Sequence, residues 1–336
     1  MEVSTDKSKL YEVAKCVTTV LVVLGHVARM YSANAAIPAA NNSALLSALT
    51  GYIYIFHMPL FVMLSGCVFG YCVEQNKYSN VRAFIKNKGK RLLIPYLFFG
   101  VCYVAPVVCA VGLSDSYGEY ILDGILLGYD SRHLWYIFVL FWIFVLYILL
   151  KPLFDRGTGG MVATCCISLL LFLIHGEMPD IFRISSICNY QLFFFAGILF
   201  NRFYHCFAKY FEKACRFFFI PAFALMGMFF FNPNSATRYG YTGIGILMVL
   251  LFCGDLLQRC PRILENSLMR IVRRNLFSVY LFHPMIIYVL FYLLGQYAIN
   301  PILLSFLVFV TAITLSIGMA YLVRRVKLHW IIGENG

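Results

Sequence analysis

Apolar runs of roughly twenty residues recur from one end of this chain to the other, separated by short charged segments. A helix rising 1.5 Å per residue needs about 20 such residues to cross the ~30 Å hydrocarbon layer of a bilayer. The runs predict spans near residues 11–31, 52–73, 92–113, 134–151, 160–176, 187–204, 216–232, 239–257, 275–294 and 301–323. The expected fold is an all-α integral membrane protein of about ten transmembrane helices, one polytopic domain over residues 1–336. No internal repeat, low-complexity linker or appended soluble domain breaks the pattern, so any chemistry is expected within the membrane or at its faces. The N-terminal MEVSTDKSKL lacks signal-peptide architecture, and the first apolar run is expected to stay as a membrane helix.

Composition supports this reading. Only 12% of residues are charged and 61% are hydrophobic, against about 25% charged in soluble domains. The net charge of +12 does not mark a nucleic-acid partner, because Lys and Arg sit in clusters between apolar runs and not along one helix face. Twenty-two of the 27 basic residues fall in alternate inter-span segments, from Lys7 and Lys9 through Lys77–Arg91 to Arg324, Arg325 and Lys327. The opposite segments hold only Arg132, Arg183 and Arg238. Basic loops face the cytoplasm, so both termini are expected there. Cysteines such as Cys16, Cys67 and Cys253 lie inside apolar runs as small hydrophobes. No Cys/His spacing fits zinc, and neither disulfides nor a metal is expected.

Ionisable residues inside spans are costly and are candidates for function. Lys15 and His26 in the first span are 11 residues apart, close to three helical turns, so they share a face and are separated by roughly 16 Å along the axis. Lys15 also reads as a snorkelling anchor paired with Glu12, and His26 as an interhelical hydrogen-bonding group. The second span carries HMPLFVMLSG, with His57 near the level of His26, Pro59 able to kink the helix, and Ser65 and Gly66 small enough for close packing. Imidazoles can serve as general bases. The segment KNKGKRLLIPY, read as the end of a loop, brings Lys88, Lys90 and Arg91 together, a cluster suited to lipid head groups or a phosphorylated ligand. RHLWYIFVLF places His133, Trp135 and Tyr136 where an interfacial aromatic belt is also possible. NLFSVYLFHPMI sets His283 roughly 14 Å in from Arg274 at helical rise, with Pro284 able to turn it toward a cavity.

Taken together, these segments resemble the membrane-bound acyltransferase-3 family, whose members O-acylate cell-envelope polysaccharides, lipopolysaccharides and related acceptors. The resemblance runs from Tyr11 to about His283 and rests on Lys15 with ten residues before His26, HMPLFVMLSG, the basic run into RLLIPY, HLWYIFVL and YLFHP, in this order. The family shows Arg or Lys, ten residues, then His in its first helix, and a basic pair spaced by two residues before its third span, which Lys88 and Arg91 fit. Lys at the first position of each pair keeps the charge and lacks the arginine fork. The chain looks like the minimal form, without the fused esterase-like domain of some relatives.

The resemblance implies acetyl-CoA as acyl donor, a glycan acceptor, surrounding membrane lipid, and a bacterial inner membrane as location. Lys15, Lys88 and Arg91 would hold the donor's phosphates at the cytoplasmic face, and the pantetheine arm would run along the first helix to His26 as general base or acyl relay. His57 and His283 would orient or relay. Arg29, His133 and Trp135 are candidates for the acceptor, Arg29 for a developing oxyanion and Trp135 for a sugar ring. A transporter or flippase for a glycan or lipid-linked sugar is the competing class. Such proteins often carry repeated halves, and none is legible here.

Overall fold

The structure is a computed structural model that describes residues 3–230 and 235–334. Among these, every regular element is helical. In chain order they are α1 (Val3–Arg29), α2 (Ala44–Tyr54), α3 (His57–Glu74), α4 (Val81–Phe99), α5 (Ala105–Ala110), α6 (Tyr117–Glu119), α7 (Trp135–Phe154), α8 (Thr158–Leu173), α9 (Ile184–Cys215), α10 (Phe219–Phe230), α11 (Ser235–Arg259), α12 (Ser267–Leu294) and α13 (Pro301–Arg325). Eight stretches among the described residues are long and apolar enough to cross a membrane: α1, α2 with α3, α4 with α5, α7, α9, α11, α12 and α13. The expected spans at 160–176 and 216–232 fall on α8, with 16 residues, and α10, with 12. Both are shorter than the roughly 20 residues of a straight crossing, and residues 231–232 of the second lie outside the described residues.

α1 runs through the middle of the bundle, against α2, α3, α9, α11, α12 and α13. Val13, Ala14, Val23, Val27 and Ala28 are fully buried on it, so its polar residues meet other helices and not lipid. Large apolar side chains such as Leu303, Phe306 and Leu322 on α13 are exposed, as expected of a lipid-facing surface. The tightest helix pair is α3 with α9. A Cβ on Gly66 would lie 2.0 Å from Phe194 O, and one on Gly197 would lie 2.0 Å from Met63 O. Small residues let two backbones touch in this way, which realises the packing role expected of Gly66.

Several local features differ from the sequence-based expectation. The second span starts at Ala44, earlier than residue 52, and breaks at Ile55–Phe56 before α3. Pro59 has no N–H for Ile55 O, the carbonyl one turn earlier, and Thr242 Oγ1 on α11 donates to that oxygen at 3.0 Å. The basic run Lys86–Arg91 lies on helix α4 and not in a loop. After Pro95, α4 passes through a π-helical turn, Gly100–Val104, before α5. The segment at 114–133, between the spans expected at 92–113 and 134–151, holds α6 and a second π-helical stretch, Tyr120–Leu126. It is tied to α4 by Tyr96 Oη donating to Ile125 O at 2.5 Å. Glu12 does not pair with Lys15: its carboxylate accepts from Arg273 at 2.7 Å, because the α1 face that carries it turns toward α12.

The segment after α13 folds back onto α4 and α12. Ile331 and Ile332 are buried, and Trp330 packs edge-on against Phe98. Gly333 adopts a left-handed φ of 67° with its Cα against Arg91 O and the Phe277 ring. Arg324 grips Glu334 through two contacts, at 2.6 and 2.9 Å. That pairing holds the Glu334 carboxyl below its ordinary range.

Candidate functional site

Helical periodicity builds the site. On α1, Lys15, Thr19 and Val22 recur at spacings of four and three, which keeps them on one face, and all three line a cavity of about 250 Å³. His26 is the next residue on that stripe. The same cavity is walled by Met58, Phe61 and Ser65 of α3, by Tyr136, Leu140 and Phe144 of α7, and by Phe277 and Tyr280 of α12. α4 contributes Lys88 and Arg91. One end of the cavity is therefore basic and the other is aromatic.

The helices α1, α3 and α12, and the 3-10 turn Arg132–Leu134 that leads into α7, each carry one histidine within about a turn of a lining residue. These are His26 after Val22, His57 before Met58, His133 before Tyr136 and His283 after Tyr280. They converge. The rings of His26 and His283 are 5.1 Å apart, and those of His133 and His283 are 6.3 Å apart. Tyr54 stands between the remaining pair, 4.7 Å from the His57 ring and 5.9 Å from that of His26, with its hydroxyl 3.3 Å from His26 Nδ1. Arg29, one turn past His26, stacks its guanidinium over Tyr54 at 5.3 Å.

Hydrogen bonds select which nitrogens are free. A carbonyl can only accept, so each ring nitrogen facing one is the N–H of a neutral imidazole and leaves the lone pair on the other nitrogen. His57 Nδ1 donates to Ile53 O at 3.0 Å, His283 Nδ1 to Val279 O at 2.7 Å, and His133 Nε2 to Leu281 O at 3.1 Å. His283 Nε2 and His133 Nδ1 are then buried with no partner among the described residues. Buried polar atoms are nearly always paired, so these two are available to a ligand. His133 is further fixed by Tyr280, whose hydroxyl donates to the His133 carbonyl. It enters α7 through Arg132, whose backbone holds a left-handed φ of 48°, a conformation that costs about 1 kcal/mol in a non-glycine residue.

The basic end has the opposite character. Lys15, Lys88 and Arg91 make no ion pair among the described residues. The Lys88 ammonium instead sits 3.7 Å from the Phe144 ring centroid and 5.5 Å from that of Phe84. Uncompensated cations in a cavity wall leave a place for an anion.

The structure brings together His26, His57, His133, His283 and Arg29 at one end and Lys15, Lys88 and Arg91 at the other. Trp135 stands apart, packed against Tyr190 of α9 at 5.1 Å. Tyr136 and His133 are not a surface belt: both are buried, and Tyr136 Oη lies 3.4 Å from Ser65 Oγ, which itself donates to Phe61 O. Two tyrosines join the site unforeseen, Tyr54 and Tyr280, beside Tyr136, which reads from sequence as a belt residue. A signal for the first two is present, since Tyr54-Ile-Phe-His57 and Tyr280-Leu-Phe-His283 both set a tyrosine one turn before a histidine. Among the described residues, no group of three or more His, Cys, Asp or Glu has the geometry to hold a metal ion.

No curated protein matches the chain, and no solved structure does. The family comparison gives a single answer that spans every element of this site: an acyltransferase domain matches residues 10–321, and the chain belongs to the acyltransferase-3 family of membrane acyltransferases.

Proposed function

We propose that the protein moves an acyl group, acetyl in the simplest case, from a coenzyme A thioester to a hydroxyl of a glycan acceptor. The observation that carries this reading is the polarity of one cavity: three unpaired cations at one end and a convergence of four histidines beyond the other. A cavity of about 250 Å³ fits the narrow pantetheine arm of such a donor and not its nucleotide, which stays outside at the basic mouth. Lys15, Lys88 and Arg91 then meet the diphosphate and 3′-phosphate by charge-assisted hydrogen bonds. The basic mouth faces the cytoplasm under the distribution of basic residues.

The donor supplies an activated acyl group, and the protein supplies orientation and a base. The roughly 16 Å from Lys15 to His26 at helical rise suits an extended arm anchored by its phosphates. The acceptor hydroxyl enters beside His26 and His283. As its oxygen attacks the thioester carbon, an imidazole lone pair takes the hydroxyl proton, and the same imidazolium returns it to the departing thiolate. His283 Nε2 is suited to this step, because its other nitrogen is held by Val279 O. Tyr54 and Arg29 stand where negative charge develops on the carbonyl oxygen. Membership in an acyltransferase family weighs against a glycan transporter.

The test is transfer of label from acetyl-CoA in membranes expressing the chain, wild type against His26→Ala, with glycan extract supplied and protein levels matched. Label that reaches glycan with the wild type and disappears with the variant supports the reading. Equal transfer by both removes His26 from the chemistry. Label that the wild type passes only to lipid or protein overturns the glycan acceptor.

A further inference from the structure

The basic end of the bundle carries a second built feature, separate from the cavity. Between the start of α12 and the end of α13 lies a groove of about 520 Å³, lined by Arg270, Arg274, Asn275, Tyr321, Arg324 and Arg325. Ile271 and Ile317 complete its wall. It is not an extension of the acyl-donor cavity. On α12 the cavity takes Leu276, Phe277 and Tyr280 while the groove takes Arg270, Ile271, Arg274 and Asn275, and at 3.6 residues per turn the two sets face directions roughly 140° apart.

Four guanidinium groups share this groove with a single acid. Glu334 occupies Arg324, which also donates to Asn275 Oδ1 at 2.7 Å. Arg270 donates to Glu265 O at 3.2 Å. Arg274 and Arg325 have no side-chain hydrogen bond or ion pair among the described residues. The use of arginine matters, because its planar fork matches a phosphate by two parallel hydrogen bonds while lysine offers a point charge. The larger basic groove of about 850 Å³ between α1, α9 and α11 makes the contrast: it carries three lysines, Lys9, Lys209 and Lys213, to one arginine, Arg216, with Glu212 among them.

Position selects the source of the phosphate. Arg270 and Arg274 lie in the first two turns of one membrane-spanning helix, and Arg324 and Arg325 lie in the last turn of its neighbour. This is the level at which head groups meet hydrocarbon. Ile271, Tyr321 and Leu322 are exposed beside it and offer an apolar path for acyl chains. We propose that this groove is a binding site for an anionic membrane lipid, with the phosphate held between Arg274 and Arg325.

Native mass spectrometry of the full chain released from detergent micelles reads the retained lipid directly. The wild type is expected to keep one phosphatidylglycerol and not phosphatidylcholine. Arg274→Gln/Arg325→Gln is expected to weaken that retention roughly 30-fold, since each juxtamembrane cation contributes about fivefold. Lys209→Gln/Lys213→Gln, in the other basic groove, is expected to retain phosphatidylglycerol as the wild type does. Should the glutamine pair fail to give monodisperse protein, Arg274→Lys/Arg325→Lys keeps the charge and loses both forks, and a several-fold loss is expected. Equal retention of the two lipids, or phosphatidylglycerol held undiminished by the arginine variants, overturns the site. Displacement of the lipid by soluble glycerol 3-phosphate would assign the groove to a soluble phosphate and overturn the lipid assignment.

Discussion

Replacing Lys88 with Met removes one of the three unpaired cations of the cavity and keeps an unbranched side chain of similar length. The ammonium lies 3.7 Å from the Phe144 centroid and 5.5 Å from that of Phe84, so the stem stays within its aromatic collar and the wall keeps its shape. A hydrogen bond from a charged group contributes about 1.5–3 kcal/mol net, which corresponds to about 10- to 150-fold in affinity. Lys88 is at the basic end and the histidines are at the other, so the contact is the same in the ground and transition states. Such uniform binding appears in KM and leaves kcat alone. Initial rates of label transfer across acetyl-CoA concentrations are therefore expected to show donor KM raised within that range and kcat within about threefold of wild type. Lys88→Arg is expected to recover most of the loss. With acetyl-dephospho-CoA as donor, the gap between wild type and variant closes if Lys88 meets the 3′-phosphate and persists if it meets the diphosphate, by the logic of a double-mutant cycle. A variant with unchanged donor KM, or with lowered kcat at unchanged KM, would refute an anion-binding role for the basic end.

His283→Gln keeps an amide able to donate to Val279 O while removing the lone pair at Nε2; kcat is expected to fall about 10²- to 10⁴-fold at unaltered donor KM, and parity with wild type would exclude this imidazole as the base. Gly66→Val adds a Cβ that would sit 2.0 Å from Phe194 O, where ordinary contact needs 3.4 Å or more; α3 and α9 must part, at about 1–3 kcal/mol or more, and size-exclusion chromatography after extraction is expected to show little monodisperse protein, while the neighbouring Ser65→Ala extracts normally. Glu334 has its carboxyl held below the ordinary range by Arg324, so its contribution is present above the unfolded value of about 4.3 and is lost only as pH falls through the lower folded value. The carboxylate is partly exposed, which limits the effect to about 1 kcal/mol or less. The emission of Trp330, measured in a chain whose other two tryptophans are replaced with Phe, is expected to stay constant from neutral pH down to about 5 and to shift below that, and a change beginning near neutrality would remove Glu334 from the latch.

Periodicity made Lys15 of the basic end and the first histidine legible. Lys15 and His26 lie three turns apart on an apolar helix, and the 3.6-residue repeat places them on one face wherever the helix packs. Depth along a single helix also paired His57 with His26. Distances between helices have no such signature. Nothing local distinguishes His133 and Tyr136 on a buried wall from the same residues in an interfacial belt, and the difference is decided by α12, from which Tyr280 donates to the His133 carbonyl. Likewise, Lys88 and Arg91 read as loop residues because charge breaks the apolar run, although Asn80 caps a helix that carries them. The early start of α2 has a local mark, since the Ser43 side chain caps its first turn, ALLS.

The four histidines show why the motifs that carry them must be scattered through the chain. One imidazole can be oriented by a carbonyl four residues earlier in its own span, as His283 is by Val279 of α12 and His57 by Ile53 at the end of α2, and both stand just before a proline that interrupts the helical ladder nearby. Orientation alone leaves a lone pair pointing at whatever lies beside the helix. An enclosed place where several lone pairs face one volume requires each helix to contribute from its own side. α1, α3, α7 and α12 do so at the level where the cavity ends. The α3 wall is in turn fixed by α9, whose backbone nearly touches that of α3 where Gly66 meets Phe194 and Gly197 meets Met63. The histidine end thus depends on glycines outside it, while the basic end depends only on where three cations point. Substitutions at those glycines should therefore be lost as misfolded protein and those at the three cations as weakened binding of an anion.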